Sequence, residues 1–173
     1  MNWFLNLILI IFFAIFQTTV MPEISVKFGM ANIIFVIFIC LLYLRFFELS
    51  LVWAALGGLA LDFLSSTPAG LFFFSFIIIY FLLATFLKIL EFKEFLALLA
   101  IVFTASILFD LMTIFYFNIW GASLSLVSFY HIIILDSVLN VIFVCLVWPV
   151  LIYINRHFSS RKEKIISLSE LYK

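Results

Sequence analysis

Three aspartates stand inside long apolar runs of this chain: Asp62, Asp110 and Asp136. A carboxyl group in such surroundings has few uses. Two together could divide the work of acid and base, as in a hydrolytic dyad. They could pass a proton, meet a basic residue of a partner, or accept hydrogen bonds that lock helices together. Ser106 and Thr113 share a helical face with Asp110, and Asn140 shares one with Asp136. All three neighbours can bond a carboxyl group. Other reactive residues are few. Cys40 and Cys145 both fall in apolar runs, where a thiol behaves as a small core group. His131 and His157 have no cysteine nearby, so no structural metal site forms at a recognised spacing. Neither metal nor cofactor is expected.

The elements that position these residues are membrane helices. The chain has 173 residues, of which 68% are apolar and 10% charged, with a mean hydropathy of +1.40. Soluble domains carry about 25% charged residues. A chain this apolar has lipid as its solvent, and a bilayer core takes about 20 apolar residues per helix. Six segments fit: Trp3–Val20, Ala31–Phe47, Leu49–Leu64, Leu71–Leu90, Phe95–Phe117 and Ile132–Ile154. None alternates polar with apolar residues as a barrel strand would. The expected fold is all-α, a bundle of about six transmembrane helices over residues 1–155. A basic tail follows over residues 156–173. Met1-Asn2-Trp3 lacks positive charge and Thr18-Thr19-Val20 is no small-x-small cleavage site, so the first segment reads as a retained span. Zero formal net charge argues against nucleic acid as a partner.

Orientation follows from lysine and arginine. With six spans and a cytoplasmic N-terminus, Arg45, Lys88, Lys93, Arg156, Arg161, Lys162, Lys164 and Lys173 fall inside. Lys27 alone falls outside. This is the asymmetry of the positive-inside rule, and five or seven spans would scatter it. Both termini are therefore expected in the cytoplasm. Tyr116, Trp120 and Tyr130 suit an outer aromatic belt. In the tail, Ile165, Leu168 and Leu171 recur near helical spacing, as in a short surface helix.

The third span carries the most information. Ala54, Gly58 and Asp62 lie four residues apart on one helical stripe, with Gly57 beside them. Small residues at this spacing let helix backbones approach, so Asp62 sits on a packing face. Thr67 is placed to cap the next helix, with Pro68 at its first position. Asp62 should then accept backbone N–H groups at the start of that helix, where the dipole favours negative charge.

The pattern Gly58-x3-Asp62-x5-Pro68-x-Gly70 resembles the central signature of the bacterial rod shape-determining protein MreD family. Asn32 at the start of the second span is a second point of likeness, although Ala31 stands where the family often has proline. The resemblance implies a fold similar to the substrate-binding subunits of energy-coupling-factor transporters. It also implies a non-catalytic component of the cell-elongation machinery in the cytoplasmic membrane. The implied partners are the bitopic protein MreC and, through it, the actin-like MreB, RodA and its partner transpeptidase. The residues expected to serve structure or partner binding are Ala54, Gly57, Gly58, Asp62, Pro68, Gly70, Asp110 and Asp136.

Rival readings meet obstacles in the residues. The Asn-x-Ala-Asp segment of lipoprotein signal peptidases is missing, since Ile133-Ile134-Leu135 precedes Asp136. The Gly-x-Gly-Asp pattern of other membrane aspartyl proteases is missing too. An enzyme is not expected. The alternative with the same size and span number is the substrate-binding subunit of an energy-coupling-factor vitamin transporter. Its docking helix needs small residues four apart, and the first span offers only Ala14. At about 1.5 Å per residue, Asp62, Asp110 and Asp136 lie roughly 3, 10 and 6 Å below the outer boundary. Burying an ionised aspartate near the bilayer centre costs about 2.5–3.5 kcal/mol. A hydrogen-bonded polar layer, a site open to a partner, and a proton path all remain open for them.

Overall fold

The computed structural model describes the backbone of residues 3–24, 29–89, 94–121 and 126–170, and their side chains except at 24, 126–129 and 155–170. Lys27, Lys93 and Lys173, on which the expected orientation partly rests, lie outside the described residues, as does Leu171. So do the side chains of the basic tail. Among the described residues seven helices follow one another: α1 (Trp3–Thr19), α2 (Met21–Ile24), α3 (Ile33–Tyr43), α4 (Phe47–Leu64), α5 (Leu71–Ile89), α6 (Phe95–Ile119) and α7 (Leu126–Glu170). No β-strand occurs among the described residues. Among the described residues five segments are long and apolar enough to cross a membrane: Trp3–Glu23, Phe47–Leu64, Leu71–Ile89, Phe95–Ile119 and Tyr130–Ile154. The architecture is that of a membrane helical bundle.

α3 is the centre of the bundle. It packs against α1, α4, α5, α6 and α7, and residues 31–43 are buried without interruption. Its sequence explains this. Ile33 to Leu42 are apolar on every side, and such a helix belongs inside other protein rather than at a surface. By contrast, α1 buries only Ile10, Ala14 and Gln17, a stripe at i, i+4 and i+7. Its Phe4, Ile8, Ile11, Phe12 and Ile15 face outward, as suits lipid. Phe35 and Phe38 of α3 meet Phe76 of α5 at ring separations of 5.6 and 5.3 Å. Phe109 of α6 closes on Phe35 at 5.5 Å. This aromatic knot ties three helices together.

The second apolar segment differs from its expected bounds of Ala31–Phe47. Its helix has 11 residues, about 16 Å at 1.5 Å per residue, against a hydrocarbon core of about 30 Å. Residues 29–32 are non-helical and supply up to about 13 Å of extended chain. The helix stops early because a left-handed residue ends it. Arg45 has φ 67°; its N–H bonds Leu42 O at 3.0 Å, and Phe46 N–H bonds Leu41 O at 3.0 Å. This is the Schellman closure, which normally favours glycine. Arg45 holds it from a distance, since its guanidinium donates to Leu87 O at the end of α5. Tyr43 Oη donates to Glu94 O at 2.7 Å, and Lys88 lies over the Phe47 ring at 5.6 Å. One end of the bundle is thus fastened by aromatic and cationic side chains.

At the far end of the chain, α7 runs unbroken from Leu126 to Glu170 through Pro149. The polar tail continues it as far as Glu170.

Candidate functional site

The junction between α4 and α5 gathers the residues of the sequence signature. Asp62 Oδ1 accepts from Phe72 N–H at 2.9 Å, and Asp62 Oδ2 accepts from Phe73 N–H at 2.9 Å. One carboxylate therefore satisfies two of the amides that any helix N-terminus leaves free. Its negative charge also meets the positive end of the α5 dipole. Gly58 lies one turn before Asp62, against the same stretch of chain. A Cβ there would come within 2.8 Å of Phe73 Cα and 3.0 Å of Phe73 N. The backbones touch, as the small-residue spacing requires. Gly57 turns to the other neighbour, where a Cβ would meet Ile34 Cγ2 of α3 at 2.4 Å. Ala54 is fully buried, and Ser50 Oγ donates to Phe38 O of α3 at 2.8 Å.

The start of α5 differs from the expectation that Thr67 caps it and Pro68 opens it. α5 begins at Leu71, because Gly70 has φ +90°, outside the helical region. Leu71 N–H bonds Pro68 O at 3.3 Å, so Pro68 to Leu71 form a turn. Thr67 Oγ1 pairs with Ser65 Oγ at 2.7 Å inside the connection. The capping role falls to Asp62, which reaches across from the preceding helix. Tyr116 of α6 completes the junction by donating from Oη to Ala69 O at 2.7 Å. Its ring stacks on Trp120 at 6.3 Å.

A second polar cluster surrounds the entrance of α3. Met30 N–H donates to Asp136 Oδ1 at 2.6 Å, and Asn32 N–H to Asn140 Oδ1 at 2.7 Å. Ile34 N–H donates to Gln17 Oε1 at 3.4 Å, and Phe35 N–H to Asn32 Oδ1 at 3.1 Å. Each of these amides finds a side-chain acceptor, as a helix that starts at membrane depth requires. Asn140 Nδ2 in turn donates to Ser106 Oγ at 3.0 Å. Asp136 and Asn140 are thus the α7 contribution to a lock on α3. Gly29 belongs to the same close packing, since a Cβ there would meet Leu135 Cδ2 at 2.5 Å.

Asp110 stands apart from this bonding. Its Oδ2 is buried without a hydrogen-bond partner. Thr113 and Ser106, which share its helical face, donate instead to Phe109 O at 3.0 Å and Val102 O at 2.8 Å. The structure thus gathers Gly58, Asp62, Pro68 and Gly70 at one junction. It gathers Asp136, Asn140 and Ser106 at another, with Asp110 one turn from Ser106 on α6. Gln17, Asn32 and Tyr116 are the contributors that the signature alone does not name. Asn32 could be found as an asparagine immediately before an apolar helix. Gln17 extends the buried stripe of Ile10 and Ala14, where a polar residue has to find a partner. Among the described residues no group of three or more His, Cys, Asp or Glu side chains converges to hold a metal ion. No protein-family model, curated protein or solved structure matches the chain.

Proposed function

We propose that this chain is a non-catalytic membrane component of the bacterial cell-elongation machinery, of the MreD kind. In this reading it scaffolds lateral-wall peptidoglycan synthesis by holding partner membrane proteins. The observation that carries the proposal is the α4–α5 junction. Gly58, Asp62, Pro68 and Gly70 are the residues of the signature, and they form one physical unit. Gly58 admits the α5 backbone, Asp62 binds its first amides, and Gly70 supplies the positive φ of the turn. A sequence pattern whose members serve a single junction is a structural module, not a chance spacing. In this reading its product is a fixed outer surface for a partner to meet.

The same reading makes the chain a six-span protein with both termini in the cytoplasm. The non-helical residues 29–32 and the short α3 together reach at most about 30 Å, the length of one crossing. That crossing is shielded from lipid by its neighbours. In this reading Arg45 and Lys88 lie on the cytoplasmic side, and Tyr116 and Trp120 on the outer side. The direct partner is the bitopic protein MreC, with MreB, RodA and its transpeptidase reached through it.

Affinity purification of the full chain from gently solubilised membranes tests the proposal. Co-purification of a single-span elongation protein is expected. Recovery only in a stoichiometric complex with an ATP-driven module, with a small vitamin bound, would replace it with the transporter reading.

A further inference from the structure

The helices on the perimeter of the bundle differ in apolar length. α4 has 18 residues, and polar groups bound it at both ends. Glu48 is exposed on the stripe that Leu56, Leu59 and Phe63 turn away from the bundle. A carboxylate on a lipid-facing stripe has to reach the headgroup layer. At the other end Asp62 is held by Phe72 N–H and Phe73 N–H, and Ser65, Ser66 and Thr67 follow. The apolar run from Leu49 to Leu64 is about 24 Å long at 1.5 Å per residue. α5 matches it. From Leu71, beside the turn at Gly70, to Leu87, beside Lys88, the run is about 25 Å.

Neither helix can stretch. Long basic side chains extend a short helix by reaching outward to water, but here they are engaged at the level of the helix ends. The Arg45 guanidinium donates to Leu87 O, and Lys88 Nζ lies 5.6 Å over the Phe47 ring. Tyr80 Oη donates to Phe47 O at 3.1 Å, which fixes the start of α4 against α5. The other ends are fixed by the Asp62 bonds and by the backbone contact at Gly58. The two helices form one unit about 25 Å tall.

The opposite flank is longer. α6 has 25 residues, and the apolar segment of α7, Tyr130–Ile154, also has 25, so each is about 37 Å long. Exposed apolar residues extend from Leu96 to Ile119 on α6 and from Ile134 to Ile154 on α7. Among the described residues α7 packs on α3 and α6 but not on α4 or α5, so α3 separates the longest flank from the shortest. A bilayer core is about 30 Å thick. A helix longer than that tilts, whereas a shorter one draws the two headgroup layers together.

We propose that the α4–α5 flank thins the bilayer beside it and takes phospholipid with short acyl chains in preference to long ones, while the α7 flank does not. The recognition is a match of length. Short chains cover Leu56, Leu59 and Phe63 and leave Glu48 and the Ser65–Thr67 connection in the headgroup layers. Long chains bury one or other of these polar ends, which costs its hydration. The membrane around the chain is therefore graded in thickness, least at α4 and α5.

The test reads the lipid at each flank separately. Cys145→Ala removes the exposed cysteine, and Cys40 is buried. Leu59→Cys or Ile142→Cys then places one fluorescent bimane label on the exposed face of α4 or of α7. The full chain is reconstituted in mixtures of dimyristoleoyl and dierucoyl phosphatidylcholine, with one lipid or the other brominated on its chains so that it quenches a neighbouring label. With the label on α4, the short-chain lipid should be enriched about threefold or more over its share of the mixture. With the label on α7 it should not. Equal quenching on α4 by the two lipids, or the same preference on both helices, would overturn the proposal. Glu48→Leu lengthens the apolar run of α4 to Phe46–Leu64, about 28 Å, and should remove most of the preference there. A preference that persists in that variant would also overturn the proposal. If the variant does not accumulate, the comparison of the two labelled helices decides alone.

Discussion

Replacing Asp62 tests the junction most sharply, because the two oxygens do different work for different amides. Phe72 N–H and Phe73 N–H each donate to one of them at 2.9 Å. Hydrogen bonds to a charged acceptor contribute about 1.5–3 kcal/mol each when buried. The junction is half-buried, and water recovers part of each bond in a variant. Asp62→Ala should therefore cost about 2–4 kcal/mol of bundle stability, at or above the upper end for loss of a helix cap. Asp62→Asn keeps the size and removes the charge. Asparagine has one acceptor oxygen and sets its amide NH2 against the second N–H. It should lose about 1–2 kcal/mol, intermediate between the aspartate and alanine chains. The assay is reversible unfolding in mixed micelles, read by near-ultraviolet circular dichroism, beside the amount of chain that accumulates in membranes. Equal stability of all three chains would refute the capping argument. Asparagine as damaging as alanine, at normal accumulation, would place the importance of the charge with a partner instead.

Gly58→Ala should destabilise the bundle by about 1–3 kcal/mol, the usual cost of overpacking, because the added carbon meets the Phe73 backbone, which cannot rotate away. Gly58→Leu should prevent accumulation, and membrane immunoblots check both. Asn140→Leu strands the buried Asn32 N–H and should cost about 1–3 kcal/mol, seen as faster hydrogen exchange at the α3 entrance. Reporter fusions at Lys173 and between Asn118 and His131 should read cytoplasmic and external respectively, and a periplasmic signal at Lys173 would overturn the six-span topology.

Much of this architecture is legible in the residues. Composition alone requires a membrane helical bundle, and the boundaries of α4 and α5 follow from apolar length and from the Ser65–Gly70 break. The stripe of Ala54, Gly58 and Asp62 points to the α4–α5 contact, and the favourable placing of Asp62 near a helix start follows from the dipole. The centre of the bundle is harder to read. Hydropathy gives α3 the same signal as its neighbours, because a helix facing lipid and a helix facing protein are equally apolar. Its uniform lack of polar residues from Ile33 to Leu42 is the one local sign of complete burial. Its early end depends on Arg45 in a left-handed conformation, held by a contact with Leu87 O in another helix. Such a non-local bond leaves no periodic trace. The same is true of the α3 entrance, where Gln17, Asp136 and Asn140 come from segments more than a hundred residues apart in part. The capping reading of Thr67 and Pro68 fails for a local reason, since a positive φ at Gly70 separates them from the helix they precede.

The proposed role in cell elongation is tested most directly by depleting the chain in the parent cell while supplying the intact gene, or an Asp62→Ala copy, from a second locus. Cells that lose the protein should widen and round. The intact copy should restore rods and the Asp62→Ala copy should not. Cells that keep their width and shape through complete depletion would contradict the account.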